Sequence, residues 1–531
     1  MNFFLTLALT FFITLCFSQI EEYIEPTIVP DTYIGSFGNN DYYFSRQNLL
    51  YVNHNVSIIS RENNQLINKG ELVIEKDEKA IEIFIYKESF YVITEKLGSE
   101  NVLFSVKTFN SSFNLVESNL LLEIDKTKKD KHEIYASMKG NLIGLVALSN
   151  SKKNNTGHST VYDIVKNEKS SFEFEIDDLS YYTCLDYIFN DKLQIELILT
   201  FHDGSSLFAP NSKENTAVLV SCSNSKVKTN VLKVKGENTL CKSFKFCQID
   251  NDNYLLGSLV FSRSDGKNIV GYSVLKNHFG NNEISELEII INDQLDNPNL
   301  WTKRDYKRWL NDSYISSSAD QVLKNIIYLS NDNYIFVSEA QTSSGSGEMV
   351  GPSNTNSVGT PSSSSIGAST SIISSDFSNA DISGDLLVSR IDLISKKVKW
   401  SNQTVQRFSY INIHVANKPL QSNYLFSINS NKIHLYYNCS EKSFNEKGEF
   451  DREQRPSAYS IETIADFSCN LTTGEGNIQL MSKSSKIPLE KVFLSSAKVI
   501  DGKIESFIGY HWDKIIALMF DVEKIRFIDL Q

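Results

Sequence analysis

The sequence has no C-x-x-C pair, no H-E-x-x-H and no two histidines four residues apart. It also lacks a Walker-type phosphate loop, a G-x-G-x-x-G turn and a G-x-S-x-G elbow. These absences remove the basis for zinc-ribbon, thioredoxin-like, helical zinc, nucleotide-binding and α/β-hydrolase readings, and no cofactor or metal is expected. Helix-forming runs of Ala, Leu and Glu are scarce. After the first twenty residues no apolar run is long enough to span a bilayer: Leu142 to Leu148 and Lys514 to Phe520 are of strand length. Positive charge is the minority sign. The 52 Lys and Arg stand against 64 Asp and Glu, a formal net charge of −12. An acidic surface repels phosphate backbones and anionic lipid heads, which argues against nucleic acid and against a peripheral membrane role.

What is abundant suits strands. Tyr (24) and Phe (32) are frequent, and Ile and Val recur throughout, as on pleated, half-buried surfaces. Hydrophobic residues make up 41% of the chain, enough for a sizeable core.

The start, MNFFLTLALTFFITLCFSQ, carries an apolar stretch from Phe3 to Phe17 with small residues Cys16 and Ser18 before Gln19. This is a signal-peptide pattern with cleavage after Ser18, although no Lys or Arg follows Met1. Residues 1–18 are therefore expected to be removed, with 19–531 exported as one secreted, periplasmic or cell-surface domain without a transmembrane segment.

The strongest internal signal is repetition. Asn251-Asp252-Asn253-Tyr254 is echoed by Asn331-Asp332-Asn333-Tyr334, each a polar turn before an apolar strand. Looser copies begin at Asn40, Lys87, Lys139, Asn190, Ser422 and Asp501. A second element, strand, polar turn, strand, follows from Asn101, Ser159, Asn268 and Gly384. One further strand precedes each marker, as from Lys491. Units of about four antiparallel strands result, and seven or eight fit the chain. A single small sheet cannot bury both faces, whereas a ring of them can, so the expected fold is an all-β propeller of seven or eight four-stranded blades. Two β-sandwich domains are the alternative. Two insertions are expected: a short helix within 290–325, around Trp301 to Ser313, and a flexible Ser-rich loop at 341–383.

The unit from Asn331 to Trp400, NDNYIFVSEA through GDLLVSRIDLISKKVKW, resembles repeats in exported proteins of Bacteroidota-type bacteria, as does a leader ending in Phe-Ser-Gln. The resemblance implies a propeller-like fold and no particular activity. The six cysteines beyond residue 18 depart from that group, no C-terminal sorting domain is visible, and a eukaryotic secreted protein stays open.

Those six, Cys184, Cys222, Cys241, Cys247, Cys439 and Cys469, allow fifteen pairings. Cys439 and Cys469 are the disulfide candidate, because they fall on strands read as antiparallel neighbours, where facing Cα atoms come within about 4.5 to 5.5 Å. Cys241 and Cys247 are expected not to pair. Asp177-Asp178, Ser264-Asp265-Gly266 and His202-Asp203-Gly204 read as turns. Seven N-x-[ST] sequons, at Asn55, Asn110, Asn154, Asn311, Asn402, Asn438 and Asn470, matter only in a glycosylating host. No catalytic set is identified. The expected function is an exported, non-catalytic binding or scaffold protein for a protein or glycan ligand. The alternative is a propeller hydrolase or lyase acting on extracellular glycan, which would require several acidic, basic or tyrosine side chains converging in the central funnel.

Overall fold

The structure, a computed structural model, describes residues 32–44, 55–62, 65–125, 131–150, 155–175, 181–202, 217–224, 226–232, 239–262, 269–281, 286–293, 320–343, 381–404, 414–415, 418–419, 424–429, 431–440, 462–480, 491–500, 503–516 and 519–529. All regular structure among the described residues is strand.

The strands form seven four-stranded antiparallel sheets, one three-stranded sheet and a small hairpin pairing His414–Val415 with Lys418–Pro419. Each large sheet is a meander in sequence order. In chain order they span 32–73 (blade 1), 78–125 (blade 2), 131–175 (blade 3), 181–231 (blade 4), 239–291 (blade 5), 320–404 (blade 6), 424–480 (blade 7) and 491–529 (blade 8). Consecutive blades from the first to the seventh bury shared apolar clusters between their faces. Blade 7 packs on blade 8, and the first strand of blade 8, Lys491–Ile500, lies against the first strand of blade 1, Thr32–Phe37. The ring therefore closes on itself, and the protein is a β-propeller.

First strands line the inside of the ring. Lys139, at the end of the first strand of blade 3, reaches Gln248 on the first strand of blade 5 at 2.5 Å, across blade 4. Burial follows from the position of a strand in its blade. The second strand of blade 5, Asn253–Ser262, is buried at eight successive positions because neighbouring blades cover both its faces. The outermost strand of blade 3, Glu168–Glu175, alternates instead, with Phe172 and Phe174 inward and glutamates outward.

Local chemistry sets the turns. Asn331 and Asp332 both adopt left-handed φ, 48° and 57°, which a two-residue hairpin turn matching the strand twist requires and which Asn and Asp tolerate. At the turn after the third strand, an Asp or Asn side chain accepts hydrogen bonds from amides two and three residues on: Asp163 from Val165 and Lys166, Asp392 from Ile394 and Ser395, Asn470 from Thr472 and Thr473. The two repeat signals of the sequence are these two turns.

The marker read at Ser422 is displaced. Tyr424 opens the first strand of blade 7, Tyr424–Asn429, and the second strand, Lys432–Ser440, follows within three residues. The Ser-rich segment is shorter than read: Asn333–Ser343 and Asp381–Asp392 pair out to Ser343 opposite Asp381, because ladder hydrogen bonds continue past the apolar run. Residues 344–380 and the expected helix around Trp301 lie outside the described residues, while Glu288–Ile291 and Asp320–Ser330, at the edges of 290–325, are strands.

Candidate functional site

The innermost strands carry a recurring irregularity. A β-bulge interrupts the first strand of blades 1, 2, 4, 5 and 6, closing at Gly35, Glu82, Asp186, Lys245 and Asn325, and a longer break in pairing precedes Lys498 in blade 8. A bulge bends the strand and re-aims the side chain that follows it. Four of these side chains are aimed at the adjacent blade. Asp186 accepts a hydrogen bond from the Phe246 amide at 2.8 Å and pairs with Lys245 at 3.4 Å. Lys245 also donates to the Leu185 carbonyl at 3.2 Å. Asn325 donates to the Tyr424 hydroxyl at 2.7 Å, and Lys498 pairs with Asp41 at 2.9 Å. Ser243, inside the bulge of blade 5, accepts from the Leu323 amide of blade 6 at 2.7 Å. Lys324 lies 3.6 Å from the fully buried Glu339. Polar groups on the inner rim thus tie blade 4 to blade 5, blade 5 to blade 6, blade 6 to blade 7 and blade 8 to blade 1.

The two faces of the ring differ. On one, first-to-second and third-to-fourth strand turns are short, the longest joining the third and fourth strands of blade 5 through residues 279–287. Side chains knit these turns together across blades. Asn190 donates to the Asn251 carbonyl at 2.8 Å and Lys192 pairs with Asp252 at 2.6 Å. Lys276 pairs with Asp332 at 2.6 Å, and Arg390 bridges Asn333 and the Leu471 carbonyl at 2.9 and 2.7 Å. The opposite face holds the strand ends that are joined by every long connection: 45–54, 203–216, 292–319, 344–380, 405–423, 441–461 and 481–490.

One buried acid stands apart. Glu196, on the second strand of blade 4, is fully buried. Its carboxyl accepts from Ser221 Oγ at 2.5 Å, the Gly280 amide at 2.7 Å and the Tyr254 hydroxyl at 3.4 Å. Burial drives its pKa up to about 7, against these hydrogen bonds, which favour the ionised form. The sequence signal was an acid inside an apolar run, Gln194-Ile-Glu-Leu-Ile-Leu. Sealed from solvent, Glu196 links blade 4 to the turn after the third strand of blade 5. On blade 7, His434 Nδ1 lies 2.9 Å from Asp466, whose carboxyl burial raises and His434 partly restores.

The expected disulfide is corrected by the register. Cys439 and Cys469 do lie on adjacent strands, Lys432–Ser440 and Glu462–Asn470. Cys439 faces Thr463, however, and Cys469 faces Ile433. Six residues of strand, about 20 Å, separate the two positions, beyond disulfide reach. All six described cysteines are free and buried. Burial pushes the Cys222 thiol to about 12 and those of Cys247 and Cys469 to about 11. They serve as small core hydrophobes. Cys241 and Cys247 share one strand, and that strand is bulged between them.

Among the described residues no group of three His, Cys, Asp or Glu could hold a metal ion, and no helix is long and apolar enough to cross a membrane. Asp177-Asp178, Ser264-Asp265-Gly266 and Asp203-Gly204 lie outside the described residues. Of the sequons, Asn402 is buried and donates to the Gly474 carbonyl, so its amide nitrogen is closed to modification in the folded chain.

No protein-family description and no curated protein matches the chain. Among solved structures it is similar to the WD40 domain of SCAP from fission yeast, at 8% identity and a TM-score of 0.34, over 96% of this chain and 97% of that one. It is also similar to the β-propeller domain of the trilobed protease from Pyrococcus furiosus, at 10% identity and a TM-score of 0.31, over 84% and 98%. The Pyrococcus horikoshii acylaminoacyl peptidase aligns at 9% identity and a TM-score of 0.34, over 93% of this chain and 60% of that one. Likeness at this level carries no function across, and the fold assignment rests on strand order.

Proposed function

We propose that this chain is an exported, non-catalytic binding or scaffold protein that engages a protein or glycan ligand with one face of its ring. The observation that carries the reading is the asymmetry of the faces. Short turns, cross-linked blade to blade, stiffen one side, and every long connection joins strand ends on the other. Recognition is commonly built from variable segments on a rigid scaffold. The engagement of Asp186, Lys245 and Asn325 between blades supports the same reading, since it commits rim groups to structure. The leader-like residues 1–18 support export.

The test is to replace 344–380 and 441–461 with short Gly-Ser links, one at a time and together, and to screen the unmodified and shortened chains against an array of extracellular polysaccharides and surface proteins. The reading expects a binder of the unmodified chain that is lost when a long segment goes, while circular dichroism and Tm stay unchanged. Release of reducing or unsaturated sugar by the purified chain, surviving both replacements, would overturn it in favour of a glycan hydrolase or lyase.

A further inference from the structure

Blade 7 has one apolar and one polar face. Alternation along its strands sends Ile433, Leu435, Phe467 and Cys469 into the core shared with blade 6. The opposite face looks toward the first strand of blade 8, Lys491–Ile500. There the register sets His434 beside Ser468 and Asn477, and Tyr436 beside Asp466 and Gln479, across the second, third and fourth strands. The corresponding faces of blades 5 and 6 are apolar: Leu255, Leu259 and Val274 look toward blade 6, and Val337, Leu386 and Val388 toward blade 7.

We propose that this polar face of blade 7 is a binding site for a neutral oligosaccharide. The inference rests on the reading of the chain as a binding protein and gives that reading a ligand class and a place. Polar groups that hold other blades together are sealed and bonded across the seam, as where buried Tyr272 of blade 5 donates to buried Ser389 of blade 6 at 2.6 Å. On blade 7 the bonds of the acid and imidazole stay within the blade. His434 Nδ1 lies 2.9 and 3.1 Å from the two carboxylate oxygens of Asp466. The buried Tyr436 ring holds the imidazole from one side, within 15° of parallel at 6.1 Å. With blade 8 in place, the His434 and Asp466 side chains are still 21% and 13% exposed, and Asn477 and Gln479 on the outermost strand are exposed.

The chemistry of this wall matches hydroxyl groups, which both donate and accept. The amides of Asn477 and Gln479 and the Ser468 hydroxyl do the same. A carboxylate on Nδ1 keeps the imidazole proton there, so His434 offers Nε2 as a fixed acceptor. Strands about 5 Å apart, with same-face residues about 7 Å apart along each, space these groups over the extent of one or two sugar rings. Charge favours a neutral ligand. Among the described side chains of this face Lys432 and Asp466 offset each other, and a chain of net charge −12 repels an anionic polymer. A protein partner would call for an apolar centre, and the aromatic ring here is buried. The site also meets the face of the long connections: Gln479 stands next to Leu480, where the outermost strand Gly476–Leu480 gives way to residues 481–490.

The test titrates the purified chain with neutral oligosaccharides of glucose, mannose, xylose and N-acetylglucosamine, by calorimetry and by NMR of the histidine rings, with His434→Gln identifying the His434 resonance. A site here predicts that at least one of these sugars binds and shifts that resonance. Asn477→Ala with Gln479→Ala should weaken binding about tenfold, with Tm unchanged. Binding that leaves both the His434 resonance and the double variant unaffected would overturn the proposal, as would a chain that binds none of these sugars. The wider binding reading survives either result if a surface protein is captured or if the sugar is lost on replacing 441–461. Cleavage of a bound sugar would instead sink the non-catalytic reading and leave the site standing. Should His434→Gln fail to fold, the double variant decides, because both of its amides are exposed.

Discussion

Lys498 Nζ lies 2.9 Å from Asp41 Oδ2, joining residues 457 positions apart in sequence. Both side chains are largely buried, and Asp41 also accepts from Ser36 Oγ at 2.7 Å. This pair clasps the last blade to the first. Removing one partner of a mostly buried pair strands the other charge, so Lys498→Met should cost about 1–3 kcal/mol, while Lys498→Met with Asp41→Leu should recover part of the loss. Urea unfolding of the two variants measures both. A single-variant loss below about 0.5 kcal/mol, the level of an exposed pair, would show that other contacts close the ring.

Gly257 of blade 5 faces Ile326 and Phe336 of blade 6. A Cβ there would lie 2.6 Å from Ile326 Cδ1 and 2.7 Å from Phe336 Cε1. Both neighbours are buried side chains of the core between the two blades. Gly257→Ala should therefore destabilise by about 1–3 kcal/mol through overpacking, despite the usual gain from replacing glycine in a strand. The shift in Tm on calorimetry checks it, and an unchanged or raised Tm would mean the blades can move apart.

Glu196 predicts a pH dependence with a definite sign. Its folded pKa, about 7, is raised above the ordinary 4.5. The folded state therefore holds a proton that the unfolded state releases, and stability is full below about pH 4.5 and declines as pH rises toward and through 7. Glu196→Gln keeps an acceptor for the Gly280 amide and removes the titration. Urea midpoints at pH 5 and pH 8 should differ less in that variant than in the parent. An equal difference would assign the slope to other groups.

Much of this fold is legible in the sequence because its turns are. Asn331-Asp332 and Asp392-Leu-Ile-Ser carry their geometry in their own side chains, so the repeat is visible without the ring. Position around the ring and register are not local properties. Tyr424 follows Ser-Asn as other second strands follow their turns, yet it starts a first strand, and no nearby residue marks the difference. Cys439 and Cys469 lie on neighbouring strands whose apolar runs are visible in the sequence, but their register depends on where pairing ends at the far side of 441–461. The bulge-closing residues Asp186, Lys245 and Asn325 are hidden for the same reason: a bulge exists only relative to its partner strand.

All six cysteines should behave as buried thiols. A thiol reagent should label fewer than one per chain under native conditions and six after denaturation of the chain 19–531, without prior reduction. Fewer than six after denaturation would reveal a disulfide.

The most direct test of a single closed ring is a nick in blade 6. Strands Asn333–Ser343 and Asp381–Asp392, on either side of 344–380, pair along their length in one sheet. A recognition sequence for a site-specific protease placed within 344–380 allows one clean cut. The ring predicts that the two fragments stay together on a native sizing column and elute with the uncut protein, parting only in denaturant. Two fragments that separate under native conditions, each with β-type circular dichroism, would contradict the ring and favour two independent sandwich domains.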